Sequence, residues 1–169
     1  MAVRAVVAAA FASPDTPDLA PVEVGLLDRL RADDAWIPAL SLVAVDPSGD
    51  RVVPPGQRVV GHVVCTRAGL DDRAVLGLGP LAVRPDRQRR GVGTALMYAV
   101  LAAAEARGEP LVGLLGDPAY YRRFGFKPAS HHGIVPPEPG WGAAFQVRLL
   151  SPERPVPGTF GYARPFRDL

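Results

Sequence analysis

At 169 residues with 48% hydrophobic side chains, the chain is long enough for one domain with a buried core, and no internal repeat or long linker divides it. A net charge of +2 is nearly balanced and argues against a nucleic-acid-binding design, and the many arginines beside the single Lys127 look like a coding bias. One cysteine, Cys65, excludes an internal disulfide and points to a reducing cytoplasmic setting, and no run approaches the ~18 apolar residues of a membrane span.

In chain order, Val3, Val6, Val7, Ala10 and Phe11 have helical spacing, which predicts a helix near residues 2–12. Arg4 followed by an alanine-rich run imitates a short secretory leader, but one basic residue and a minimal apolar stretch favour the amphipathic helix. An acidic, proline-containing loop over Ser13–Ala20 precedes a second helix near 21–32. Strands are expected near Leu40–Val45, Arg58–Thr66 and Val75–Val83, with a turn over Asp46–Asp50 that Val52–Gln57 extends into a long hairpin tip. Gly79-Pro80 inside the third strand marks a bulge or splay, because proline cannot donate to a ladder and glycine weakens one.

Leu81-Ala-Val-Arg-Pro-Asp-Arg-Gln-Arg-Arg-Gly-Val-Gly-Thr94 runs from a strand end through a basic loop to two glycines that open a helix. Gly91 and Gly93 let backbone N–H groups approach an anion, and the helix start adds unpaired donors and partial positive charge. A nucleotide P-loop needs a Gly-Lys pair, which the chain lacks, and a dinucleotide fingerprint needs a glycine where Leu96 stands. The helix from Thr94 to Ala106 is stopped by Gly108 and followed by the short strand Leu111–Leu115. Asp117 then caps a short helix that begins with Pro118 and ends in Tyr121-Arg-Arg-Phe-Gly125-Phe126. A Pro/Gly-rich segment over His131–Gly142 leads to a last long strand, Ala144–Leu150, and a tail.

Gln88-x-x-Gly91-x-Gly93, with Tyr121-x-x-x-Gly125-Phe126 about thirty residues later, resembles the paired motifs of the GNAT superfamily of N-acetyltransferases. Ser41–Val45, Val60–His62, Leu78–Val83, Gly116–Pro118, Ala144–Val147 and Gly158–Tyr162 are similar in order and spacing to its YhbS-like branch. The resemblance implies a single acetyltransferase domain over residues 1–169. Its fold would be α/β, a mixed and mostly antiparallel central sheet with a splayed strand pair and helices on both faces. Either the usual first strand is absent or the given start lies inside the natural reading frame, and a sheet edge would be left open to a partner such as a second copy.

By the same resemblance the cosubstrate is acetyl-CoA, with no metal. Backbone groups of Leu81, Ala82 and Val83 would hold its pantetheine arm, and Gln88, Arg89, Arg90, Gly91, Val92, Gly93 and Thr94 its phosphates. Tyr121 would give the leaving thiolate a proton, and a backbone N–H, that of Val83, would stabilise the developing oxyanion. The acceptor would be a small amine or a peptide amine attacking the thioester directly, with neither nucleic acid nor membrane as partner. An acyl-CoA-binding domain without catalysis is the alternative, motivated by the absence of a carboxylate from Ala74–Val83.

Several residues keep two readings. His62 is either a general base or a hydrogen-bonded structural residue, and Tyr120 is favoured as core packing. Arg84, Arg87, Arg89 and Arg90 either grip phosphates or line the solvated side of the loop. Trp36, Ile37 and Trp141 are pocket walls or core, and Asp15, Asp18, Glu23, Asp28, Asp33 and Asp34 attract a cationic amine or are merely solvated. His131 and His132 lack the neighbours of a zinc site, and Cys65 lacks an activating group.

Overall fold

The computed structural model describes residues 2–15, 19–46, 58–151 and 157–168. It begins with α1 (Ala2–Phe11) and α2 (Val22–Arg31), followed by β1 (Trp36–Val45), β2 (Val59–Leu70) and β3 (Arg73–Val83). Then come α3 (Val92–Ala106), β4 (Leu111–Leu115), the one-turn α4 (Pro118–Tyr121), β5 (Lys127–Pro128), β6 (Ile134–Val135), β7 (Phe145–Leu149) and β8 (Gly158–Gly161). The sheet order is β5-β7-β4-β3-β2-β8-β6, with β1 also on β2. Only β3–β4 and β6–β8 are parallel.

β2 is the spine of the sheet. Its burial is almost continuous because both faces are covered, unlike the in–out alternation of a strand with one wet face. On one face α3 contributes Leu96, Met97, Val100, Leu101 and Ala104 to a core with Val63, Cys65, Leu76 and Leu78. Each such fully buried aliphatic side chain stabilises the fold by roughly 1.5–3 kcal/mol. On the other face Val6 and Val7 of α1 and Val24 and Leu27 of α2 pack on Ala82. The arrangement is the expected mixed sheet between helices. β1 and β8 follow one another along the same edge of β2, and the outer edge of β1 pairs with no strand among the described residues.

Strand limits differ from expectation for local reasons. β1 begins four residues early, at Trp36, and its register with β2 shifts between Trp36 and Ser41, across Pro38. β2 and β3 continue past Thr66 and before Val75 to pair Leu70 with Arg73, closing a two-residue turn at Asp71-Asp72. Asp71 holds φ 49, a conformation aspartate tolerates, and its carboxylate accepts from the Thr159 N–H at 3.0 Å. The Pro/Gly-rich segment contains the short strand β6, and β5 lies just before it. The expected turn and hairpin tip, beyond Asp46, lie outside the described residues, as does Asp18.

Candidate active site

The bulge expected at Gly79-Pro80 is present. Between the pairs Val63–Leu81 and Cys65–Leu78, β3 advances three residues while β2 advances two. The extra residue switches the parity of the strand. Leu76 and Leu78 face α3 before the bulge, and Leu81 and Val83 face it afterwards, leaving Ala82 toward α1 and α2. On its other side β3 pairs with β4 only at Leu76–Val112 and Gly77–Gly113, so the two strands part just before the bulge. Side chains at that last glycine pair would run into the rings of Tyr162 and Phe160, which cover the seam.

Hydrogen-bond alternation identifies the backbone groups that face this gap. Arg84 N–H donates to the Val60 carbonyl, which makes Arg84–Val60 a bonded pair and, two residues on, Ala82–His62 another. The N–H and C=O of Leu81 and Val83 therefore point away from β2, into the space that β4 leaves. Ala82, expected among the cofactor-binding residues, is turned the other way: its backbone belongs to β2 and its side chain is buried. Gln88 Nε2 donates to the Val83 carbonyl at 3.1 Å, so the side chain braces the loop and leaves the Val83 N–H as the available donor.

The loop delivers β3 to the start of α3. Arg89 and Gly91 have φ of 57 and 83, and Gly91 is the N-cap with no side chain closing it. Ala95 N–H is the first to bond back, to the Gly91 carbonyl, so the N–H groups of Val92, Gly93 and Thr94 have no intrahelical acceptor. Together they form a concave set of donors at the positive end of a helix of 15 residues. A groove of about 580 Å³ runs over them, lined by Leu81, Val83, Arg89, Gly93, Thr94 and Arg123 among others. A Cβ at Gly91 would meet nothing within 4 Å, which leaves that approach open.

Of the loop arginines, Arg84 is bound to Asp86 through Nε (3.0 Å) and a terminal nitrogen (2.8 Å), and Arg87 contacts Asp46 at 2.6 Å. The first of these pairings holds the Asp86 carboxyl below its usual range. Arg89 lines the groove, whereas Arg90 and Val92 do not. Arg123 and Tyr120 were not anticipated there. Arg123 donates through Nε to the Tyr120 carbonyl at 3.0 Å and its guanidinium lies 4.8 Å from the Tyr120 ring centre. Tyr120 is half-buried: its ring packs against the core as expected, while its hydroxyl reaches the Thr94 side chain at the head of α3 and borders the groove.

Tyr121 faces elsewhere. Asp117 accepts from the Ala119 N–H at 2.8 Å and starts α4, while Gln146 Nε2 holds the Gly116 carbonyl at 3.0 Å. This anchored turn brings the Tyr121 ring against Gly116 and into T-shaped contact with Tyr120 and Phe126. Burial pushes its hydroxyl up to about 12, so the phenol is neutral. It lines a second cavity, of about 710 Å³, with Leu78, Pro80, Leu81, Leu115 and Trp141. Leu81 is common to both cavities, so they meet at the parted strands.

The remaining candidates separate clearly. His62 is fully buried on the α1–α2 side, its Nε2 3.2 Å from Ser41 Oγ and its Nδ1 without a partner, and it lines neither cavity described here. Burial, and then Arg31, lowers it to about 4; it is a neutral structural residue. Cys65 is buried beneath α3, where burial pushes the thiol up and keeps it protonated. Trp141 is a cavity wall, whereas Trp36 and Ile37 pack in the core. Among the described residues no three His, Cys, Asp or Glu side chains converge on a metal position, and no helix is long and apolar enough to cross a membrane.

Residues 34–128 match the acetyltransferase (GNAT) domain family. The chain is 35% identical over 131 residues to YhbS, an uncharacterized N-acetyltransferase of Escherichia coli K12, across 76% of this chain and 72% of that protein. The crystal structure of E. coli YhbS in complex with CoA superposes with a TM-score of 0.82 at 30% identity, covering 98% of this chain and 85% of that one. A GNAT family acetyltransferase from Brucella melitensis in complex with acetyl-CoA gives 0.70 at 32% identity, covering 97% and 89%.

Proposed function

Because the chain belongs to the GNAT acetyltransferase family, we propose that it moves an acetyl group from acetyl-CoA to a primary amine by direct attack on the thioester. The observation that carries this reading is the junction at Leu81. There a groove ending on free helix N–H groups meets a cavity containing a neutral tyrosine hydroxyl. The relatives solved with CoA and acetyl-CoA support the choice of cosubstrate.

Acetyl-CoA supplies an acyl group already activated as a thioester. Val92, Gly93 and Thr94 hold the pyrophosphate through their N–H groups, assisted by the charges of Arg89 and Arg123. Val83 N–H binds the pantetheine arm in the gap between β3 and β4. Leu81 N–H takes the oxyanion role first assigned to Val83, because Leu81 is the residue that reaches the tyrosine cavity. Tyr121 donates its proton to the departing sulfur. Full transfer from a phenol at about 12 to a thiolate near ~8.5 is uphill by ~5 kcal/mol, so donation accompanies bond cleavage rather than preceding it.

Thermal denaturation with acetyl-CoA, NAD or ATP at equal concentration tests the reading. At a hundredfold excess over Kd, acetyl-CoA should raise the midpoint by about 5–10 °C. A rise no greater than that with NAD or ATP refutes it.

A further inference from the structure

The 710 Å³ cavity beyond Leu81 has a chemical character of its own. Besides Tyr121, four aromatic rings reach it from separate parts of the chain: Phe11 at the end of α1, Trp141 between β6 and β7, Tyr162 after β8, and Phe166 in the last turn. Tyr162 and Phe166 lie tilted against one another, with ring centres 4.6 Å apart and planes at 33°, and Trp141 sits 6.2 Å from Tyr162. The Tyr162 hydroxyl is engaged by the Leu115 backbone, and the residue is buried, so it offers the cavity only part of its ring.

Among the described residues, the only carboxylates in this wall are Glu23 and Glu138, and Arg167 is its only cation. Neither carboxylate has an ion pair or side-chain hydrogen bond among the described residues, unlike Asp28, Asp86, Glu105 and Glu109. Glu138 is exposed on a loop. Glu23 is half-buried in the first turn of α2, where it is fixed to a helix packed on the sheet. A half-buried anion without a partner loses its water when a ligand enters, and only an opposing charge compensates that loss.

Resting on the acetyltransferase reading above, we propose that the acceptor is a primary amine on a short chain joined to an aromatic ring. Its ammonium meets Glu23, and its ring lies among Trp141, Tyr162 and Phe166. The cavity's size suits a small molecule. A polyamine, with several charges, would find too few carboxylates and would face Arg167. In the reaction the ammonium gives one proton to Glu23, and the free nitrogen then bonds to the acyl carbon as the carbon–sulfur bond breaks. Glu23 passes that first proton to solvent and then relays the nitrogen's second proton the same way. The sulfur takes one proton from Tyr121, which regains one from solvent, so one proton is released overall.

The test measures thiol release from acetyl-CoA with tryptamine, phenethylamine, spermidine, L-phenylalanine and an unblocked tripeptide, in the native chain and in Glu23→Gln, Trp141→Ala and Trp141→Phe. We expect kcat/KM for tryptamine or phenethylamine to exceed that of the other three by at least about tenfold. Glu23→Gln and Trp141→Ala should each raise the KM of that amine by about tenfold, with Glu23→Gln also lowering kcat, Trp141→Phe retaining most of the affinity and the thermal shift given by acetyl-CoA unchanged in all. Preference for spermidine, phenylalanine or the tripeptide overturns the inference and leaves the acetyltransferase reading standing. An unchanged amine KM in Glu23→Gln overturns the assignment of the carboxylate. Absence of turnover with every amine also overturns the inference, and the thermal shift with acetyl-CoA then decides whether the earlier reading falls with it.

Discussion

The Tyr120 hydroxyl occupies the place where a side chain on Gly93 would begin: a Cβ there would lie 2.8 Å from that oxygen. Gly93 is thus required for space rather than for an unusual backbone angle, whereas Gly91, at φ 83, is required for conformation. Gly93→Ala should weaken acetyl-CoA binding by about tenfold by displacing Tyr120 from the head of α3. Adding Tyr120→Phe removes the colliding oxygen and should restore part of the affinity, measured by calorimetry on both variants. If the double variant is as weak as the single one, the collision is not the cause.

Tyr121→Phe should lower kcat by about 10²–10³-fold with little change in the KM for acetyl-CoA. Gly116→Ala offers an independent check, because its methyl would strike the Tyr121 ring and displace a hydroxyl that is still present. A similar kcat loss with intact cofactor binding is expected there. Full turnover by Tyr121→Phe on a good acceptor would remove the tyrosine from the chemistry.

His62 gives the fold an acid-sensitive range. Held at about 4 in the folded chain and near ~6.5 once unfolded, it stays neutral in the fold while the unfolded chain takes up a proton below that value. Its contribution is therefore complete above pH 6.5 and is lost as pH falls toward 4, amounting to ~3 kcal/mol. Urea midpoints across this range should decline in the native chain and decline less in His62→Leu.

Arg67 on β2 grips Glu109 after α3 with contacts of 2.6 and 2.9 Å. Glu109 is 8% exposed, while the Arg67 side chain is 35% exposed, so water screens one end of the pair. Glu109→Ala should cost about 2 kcal/mol, below the ~3–5 kcal/mol of a wholly buried pair. Denaturant titration measures this directly, and acetyl-CoA affinity should not move.

The donor half of the site was legible in the sequence because it is local. The bulge at Gly79-Pro80, the loop and the glycines of α3 lie within fifteen residues, and each announces its conformation through residue type. Asp71-Asp72 was unreadable as a turn, since neither glycine nor asparagine marks it. The roles of Tyr120 and Arg123 depend on α4 returning over the start of α3, and local spacing carries no trace of that. Phe11, Trp141 and Phe166 share a wall although they span almost the whole chain, so only the folded sheet brings them together. His62 kept two readings, general base or structural residue, because strand alternation gave its face but not what covered it.

Leu81, which lines both cavities, also bears on the kinetics of the proposed reaction. On that proposal each reactant enters by its own mouth, and neither has to leave before the other arrives. With Cys65 sealed beneath α3, no thiol stands at the threshold to store the acetyl group between visits. Double-reciprocal plots against either reactant should therefore intersect rather than run parallel, and the amide and the spent thiol can depart by opposite doors.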